Sequence, residues 1–586
     1  MPLDFTNTNL LWTSILAETL ARLGLRTAII CPGSRSAPLA IAFAQHPQIE
    51  AIPVLDERSA SFFALGLARQ QQRPVVLVCT SGTAGANFYP AVIEAAESRV
   101  PLLILTADRP PELRHCNAGQ AIDQHKLYGN FPNWQTELAL PSLDPTLLTY
   151  IRQTTVYAWQ RAIAPSPGVV HVNVPLRDPL APLPDAQTQA QALTFEQQTF
   201  FNCLPSPDQT AARGAIALPW EAWRATSHGI IIAGPAQPAD PQRYCQAIAQ
   251  LAQVLGFPVL AEGISPVRTH TDVVPQVIST YDAILRHPDL AAKLAPAVVI
   301  RIGEMPTSKQ LRTWLSRTQP RQWVIDPSDR NLDPLHGKTV HLPIAVEAIA
   351  PAVTAAAPKS AYLELWQQAE QDTRQAIRQF MTETSALFEG KVAWILSQTL
   401  PPDTPFFVCS STPVRDVEFF WQASDRHLRP FFNRGANGID GSLSTALGIA
   451  HRQPPAVMLT GDLALLHDTN GFLLQPHFVG HLTIVLINNH GGGIFEMLPI
   501  AQFDPPFEEF FATPQTVDTA ALCRAYGVEH EPIPDWNTLV ERLNPLPTRG
   551  IRVLELCTDR KADARSRQAQ LREFSAHITI TEAHAP

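Results

Sequence analysis

The sequence predicts an α/β protein built from three doubly wound parallel-sheet domains, and three observations predict it. At 586 residues the chain is too long for a single core. Its strand-like segments are continuous apolar runs, as expected for parallel strands buried on both faces. These runs end in Gly, Ser, Thr, Asp or Asn, with stretches of helical periodicity between them, as in successive βαβ units.

The first domain, residues 1–182, carries the strand candidates TAIICPGS, IEAIPVL, PVVLVCTSGTAG, VPLLILTADRP and GVVHVNVP, with helical patterns such as SASFFALGLARQ between them. Residues 181–215 are rich in Pro, Gln and Thr and read as a linker. The central domain, residues 183–358, holds HGIIIAGP, FPVLAEG, AVVIRIG and QWVIDPS; residues 351–360 read as a second linker. The third domain, residues 359–586, opens on the long helix AYLELWQQAEQDTRQAIRQFM and continues with PFFVCSS, AVMLTGD, LTIVLINN and RVLELCT.

Composition narrows the function classes. A net charge of -9 argues against a nucleic-acid partner and makes any Arg cluster notable. No apolar run reaches the roughly 18 residues of a membrane helix, and MPLDFTNTNLLW lacks the pattern of a signal peptide. The eight cysteines are dispersed without a C-x-x-C pair, which favours reduced thiols and a cytoplasmic location.

The chemistry concentrates in Val457–Phe495. One apolar run ends in Gly461-Asp462, and a second ends in Asn488-Asn489 followed by Gly491, Gly492 and Gly493, with a helix-length crossover between them. Asp462 offers a hard carboxylate oxygen, Asn489 a neutral amide oxygen and Gly491 a main-chain carbonyl, the donor types Mg²⁺ or Mn²⁺ accepts while it also holds phosphate. The plain alternative is a parallel-sheet unit with Asn and Gly in its turns.

This pair of strand ends resembles the diphosphate- and metal-binding motif of thiamine diphosphate (ThDP) enzymes, Gly-Asp-Gly followed by Asn-Asn, with Leu463 here in place of the second Gly. The three-part plan is that of their pyruvate-oxidase-like branch: pyrimidine-binding, central and diphosphate-binding domains. The resemblance implies a carboxylate at the cofactor's pyrimidine that promotes loss of the C2 proton. Glu57, in ERSASFFALGLA, matches the glutamate segment of those enzymes; otherwise it reads as a carboxylate favoured at a helix N-terminus or a surface partner of Arg58. The resemblance further implies that CTSGTAGANFYPAV packs near the cofactor and a partner subunit, so the expected assembly is a homodimer or homotetramer with active sites at the subunit interface.

Arginines recur beside Gly or Ser at separate strand ends: Ser34 and Arg35, then Arg109 with Gln120, then Ser411 with Arg415, then Arg434. Arg forks match carboxylates bidentately, so the implied ligands carry more than one carboxylate. Together GSRSAPL, TADRPPEL, NRGANGIDG and INNHGGGIF closely resemble the 2-succinyl-5-enolpyruvyl-6-hydroxy-3-cyclohexene-1-carboxylate (SEPHCHC) synthase family of menaquinone and phylloquinone biosynthesis. That resemblance implies decarboxylation of 2-oxoglutarate and 1,4-addition of the succinyl-semialdehyde carbanion to isochorismate. It assigns Ser34, Arg35, Arg109, Gln120, Lys309, Ser411, Arg415 and Arg434 to substrate, with Phe495 and Leu498 lining the pocket. Glu57, Ile439, Gly461, Asp462, Leu463, Asn489, Gly491, Gly492 and Ile494 are assigned to the cofactor. Gly119 and Ser410 stand where the family also has Asn. The alternative activity is that of another ThDP-dependent 2-oxoacid decarboxylase or an acetolactate-synthase-like enzyme. A non-catalytic binding protein is disfavoured by the joint presence of Glu57, Asp462 and Asn489.

Overall fold

The three predicted parallel sheets are present in the computed structural model, which describes residues 3–204, 218–349, 356–576 and 578. The first sheet contains β1 (Thr27–Ile30), β2 (Glu50–Pro53), β3 (Val75–Cys79), β4 (Leu102–Asp108), β5 (Trp134–Glu137) and β6 (Val169–Pro175), in the order β2-β1-β3-β4-β6-β5. The second contains β7 (Gly229–Ala233), β8 (Val259–Ala261), β9 (Val277–Ile278), β10 (Val298–Ile302), β11 (Arg321–Ile325) and β12 (Lys338–Leu342), in the order β12-β11-β10-β7-β8-β9. The third contains β13 (Pro405–Val408), β14 (Arg429–Phe432), β15 (Ala456–Gly461), β16 (His481–Asn488), β17 (Glu529–Pro532) and β18 (Gly550–Cys557), in the order β14-β13-β15-β16-β18-β17. The first and third sheets thus share one topology. Its direction reverses between β1 and β3 and again between β13 and β15, the places where doubly wound sheets open a crevice at the carboxyl ends of their strands.

The chain divides into two compact units. One comprises Met1–Arg213 with Asn433–Arg452 and His467–Val479; the other comprises Gly214–Phe432, Gln453–Leu466 and Gly480–Pro586. In the first, one face of the sheet buries Trp12, Leu16, Phe43, Val76, Val78 and Trp159. The helix Glu57–Gln71 crosses the helix Ser442–Ala450 within this unit. Residues 181–204, expected as linker, instead form the short helices Ala186–Gln191 and Gln197–Phe201. Phe195, Phe200 and Phe201 pack there against the core, so three aromatic residues outweigh the polar composition. Residues 205–215 and 351–355 of the expected linkers lie outside the described residues.

In the second unit the central sheet buries Ile231, Val259, Ile300 and Trp323 on one face. Its other face buries Ile230, Ile232, Leu260 and Val299 with Tyr362 and Trp366 of the helix Ala361–Glu383. The third sheet buries Val408, Val457, Leu459, Val485 and Leu554. The crossover after β15 is not one helix: the short helix Asp462–His467 is followed by a 3-10 segment, Thr469–His477, that contains Pro476. All eight cysteines are free thiols. Among the described residues no helix is long and apolar enough to cross a membrane.

Candidate active site

The β15 and β16 ends act as one structure. The two strands run in register with Gly461 opposite Ile487, which brings Asp462 level with Asn488. Asp462 opens its helix, and its carboxylate accepts the Leu463 amide at 2.9 Å and the Gly491 amide at 2.8 Å. Burial raises its pKa, and those two amides pull it back. Leu463 lies within the helix and is not among the positive-φ residues, so a side chain is tolerated where a Gly is usual.

Asn489 is 7% exposed. Its Nδ2 donates to Glu389 Oε1 at 2.6 Å, while its Oδ1 is buried with no hydrogen-bond partner. A buried acceptor without a donor calls for an explanation, and a divalent cation supplies one. The Gly491 carbonyl accepts the Gly493 amide at 2.9 Å and keeps a second lone pair. Carboxylate, amide and carbonyl oxygens therefore fit an oxygen-loving cation and the diphosphate it would carry. Among the described residues no group of three His, Cys, Asp or Glu is placed to hold a metal ion.

The glycines have a second role that the sequence does not reveal. Gly491 has φ +136°, and a Cβ there would stand 2.4 Å from the Ala512 carbonyl oxygen. A Cβ on Gly492 would meet the Phe511 oxygen at 2.7 Å, and one on Gly493 the Asn489 Nδ2 at 2.6 Å. The loop is thus pressed against residues 511–514, where a side chain would not fit. Ile494, Phe495 and Leu498 follow; Phe495 stacks edge-on against Phe511, and Leu498 is 45% exposed.

Ser411 ends the loop after β13 with φ 75° and ψ -137°, a conformation that disfavours every residue but Gly. Gly82, after β3 in the first sheet, has nearly the same angles, φ 80° and ψ -138°. Arg415 Nη1 donates to the Ser411 carbonyl at 2.6 Å. Lys309 stands apart from these residues in sequence. It is the exposed first residue of the helix Lys309–Thr318, capped by Ser308.

In the first unit, Asp56 caps the helix Glu57–Gln71 through the Ser59 amide and also accepts from Asn470 Nδ2 at 2.7 Å. Arg58, which the plain alternative would pair with Glu57, donates to the His467 carbonyl at 2.8 Å. Glu57 is half-buried, near the thiols of Cys31 and Cys79, whose pKa values are raised by burial first and then in part by the Glu57 charge.

Around the β1–β3 switch point the structure brings together Arg35, Arg109 and Gln120. Arg109 donates to Ser81 Oγ, and Gln120 to the Ser81 carbonyl. Arg35 donates to the Leu176 carbonyl at 2.9 Å, while its buried Nε has no partner. Asp178, 3.8 Å away and largely exposed, balances its charge weakly. Burial lowers the Arg109 pKa, and the Arg35 charge lowers it further. Ser34 is exposed at the start of the same loop. Arg434 and Ile439 also belong to this unit. Their loop is clamped by the buried Glu94, which accepts the amides of Gly435 and Ala436 at 3.0 and 2.7 Å and pairs with Arg69.

Residues 12–127 match the family described as "Thiamine pyrophosphate enzyme, N-terminal TPP binding domain", and residues 207–408 the "Middle domain of thiamine pyrophosphate". The chain is 60% identical over 584 residues to the 2-succinyl-5-enolpyruvyl-6-hydroxy-3-cyclohexene-1-carboxylate synthase of Trichormus variabilis, covering 99% of this chain and 100% of that protein. The chain belongs to the SEPHCHC synthase family. The enzyme of the same name from Acaryochloris marina is 58% identical, covering 98% of this chain and 99% of that one. The fold matches the crystal structure of benzoylformate decarboxylase from Polynucleobacter necessarius with a TM-score of 0.67 and 16% identity, over 94% of this chain and 98% of that one. Membership of the SEPHCHC synthase family makes this a ThDP enzyme with the three-sheet fold. Several supporting residues escaped sequence reasoning: Ser81, Glu94, Glu389 and Arg567. Ser81 alone had a signal, since it lies in the small-residue turn CTSGTAG; the others are charged residues on helices with no motif around them.

Proposed function

We propose that the protein condenses 2-oxoglutarate with isochorismate, releasing CO₂ and forming 2-succinyl-5-enolpyruvyl-6-hydroxy-3-cyclohexene-1-carboxylate. Bound ThDP supplies a nucleophilic carbon and an electron sink for loss of CO₂. Asp462, Asn489 and Gly491 hold Mg²⁺ or Mn²⁺, and through it the diphosphate, with Gly461, Leu463 and Gly492 shaping the contact. Glu57 hydrogen-bonds the pyrimidine and sets its protonation. Ile439 and Ile494 support the cofactor, and Phe495 and Leu498 line the substrate pocket. Ser34, Arg35, Arg109, Gln120, Lys309, Ser411, Arg415 and Arg434 bind the carboxylates and hydroxyls of the two substrates. The domains are 1–182 for the pyrimidine, 183–358 as the central domain and 359–586 for the diphosphate. The working assembly is a homodimer or homotetramer in the cytoplasm.

The observation that carries the substrate assignment is the Arg35–Arg109 pair. Two guanidinium groups lie close enough to perturb each other, one with a buried and unpartnered Nε, at the crevice of a ThDP-enzyme sheet. A dicarboxylate relieves that repulsion; pyruvate, with one carboxylate, has less to offer. The test compares ThDP-dependent CO₂ release from 2-oxoglutarate and from pyruvate in the parent and in Arg109→Ala. The parent should prefer 2-oxoglutarate, and Arg109→Ala should raise its KM by about 10- to 100-fold while ThDP binding is unchanged. Equal use of pyruvate by the parent would overturn the assignment.

A further inference from the structure

The orientation of the Asn489 amide decides whether it presents an oxygen or two N–H donors. The two ends have nearly the same shape, so packing alone barely distinguishes them. A charge does: Nδ2 lies 2.6 Å from Glu389 Oε1, and a flipped amide would set two acceptors against each other at that distance.

Glu389 cannot turn away. It opens the helix Glu389–Thr399 and is 1% exposed. Its second oxygen accepts Arg567 Nη2 at 2.9 Å. Arg567, equally buried, is fixed in turn by two bonds to Asp416, at 2.7 and 2.9 Å. The chain Asp416–Arg567–Glu389–Asn489 therefore ends on Asn489 Oδ1, a buried acceptor without a donor; beside it Thr558 Oγ1 also donates to Glu389 Oε1 at 3.4 Å, and Asp563 keeps a second unpartnered oxygen next to Glu389 and Arg567. On the other side, Gly493 has no side chain to crowd Nδ2.

We infer that Glu389 is a positioning residue for the cation site: it orients Asn489 so that Oδ1 faces the ion, and it dictates that residue 489 be an amide. The inference rests on the reading of Asp462, Asn489 and Gly491 as cation ligands. A carboxylate at 489 would face Glu389 as a like charge, although a carboxylate is by itself a good Mg²⁺ ligand. A carboxamide at 389 would have one oxygen to serve both Asn489 and Arg567. Both changes made together restore the pattern, because the new amide nitrogen donates to the new carboxylate while its oxygen still accepts from Arg567.

The test measures ThDP retention by equilibrium dialysis across a Mg²⁺ titration, with Mn²⁺ binding by electron paramagnetic resonance as a second readout and circular dichroism to verify folding. Asn489→Asp and Glu389→Gln should each raise the half-saturating cation concentration by about 10- to 100-fold, and the double variant should return to within about threefold of the parent. A purely structural role for Glu389 predicts additive losses and no such rescue. The inference is overturned if folded Glu389→Gln keeps the parent's cation requirement, or if the double variant is no better than Asn489→Asp. Should Asn489→Asp not fold, Glu389→Gln alone decides. If the parent retains ThDP equally with Mg²⁺ and with chelator, the cation reading itself fails, a result distinct from either.

Discussion

Gly66 and Gly448 meet where the helix that begins at Glu57 crosses the helix Ser442–Ala450. A Cβ on Gly66 would stand 2.1 Å from the Thr445 carbonyl oxygen, and one on Gly448 would stand 2.2 Å from that of Phe63. Only a hydrogen at each position lets the backbones come this close. In E-R-x-x-x-x-F-A-x-G the glutamate and the glycine are therefore joined by mechanics: the glycine fixes the height of the helix that carries Glu57.

Gly448→Ala should accordingly destabilise the protein by about 1–3 kcal/mol, the usual cost of an extra methyl in a full core. A thermal-denaturation series would register it as a fall in midpoint. An unchanged midpoint would mean that the two helices separate at little cost.

How much of this was legible beforehand depended on burial. The central strands of each sheet announced themselves as apolar runs. The edge strands β5 (WQTE), β12 (KTVHL) and β17 (EHEP) did not, because each is half in solvent and carries polar residues. The Asp462–Asn489 pairing was readable because strand ends and glycines leave a local signature. Glu389 was not, since it lies 100 residues from Asn489 and only the fold joins them. Residues 186–201 misled by composition: their polar bulk hid the phenylalanines that tie them down.

Ser411, after β13, holds nearly the same angles as Gly82, after β3 of the first sheet. Strain kept at such a turn points to a use for the side chain. Ser411→Gly should raise the thermal midpoint, relieving on the order of 1–3 kcal/mol of backbone strain, and should weaken substrate binding, seen as a higher KM. A variant that gains stability with no change in KM would leave Ser411 without a part in substrate binding.

Glu418 is fully buried beside Arg268, Glu262, Asp282 and Tyr281. Burial raises its pKa from 4.5 to about 8, Arg268 opposes the rise and Glu262 adds to it. Because the folded-state value is the higher one, the folded chain binds a proton that the unfolded chain has already lost. Its contribution to stability is therefore present at low pH and disappears as pH rises from about 4.5 through 8. Glu418→Gln removes this titration, so its melting temperature should decline less than the parent's between pH 5 and pH 8. Parallel declines would place the proton elsewhere.

The most direct test of the proposed activity is product analysis by mass spectrometry after mixing the protein with ThDP, Mg²⁺, isochorismate and uniformly ¹³C-labelled 2-oxoglutarate. The proposed reaction predicts a new cyclohexene product carrying the labelled succinyl unit, formed together with one labelled CO₂ and only when both substrates are present. Labelled CO₂ and succinic semialdehyde without that product would contradict it.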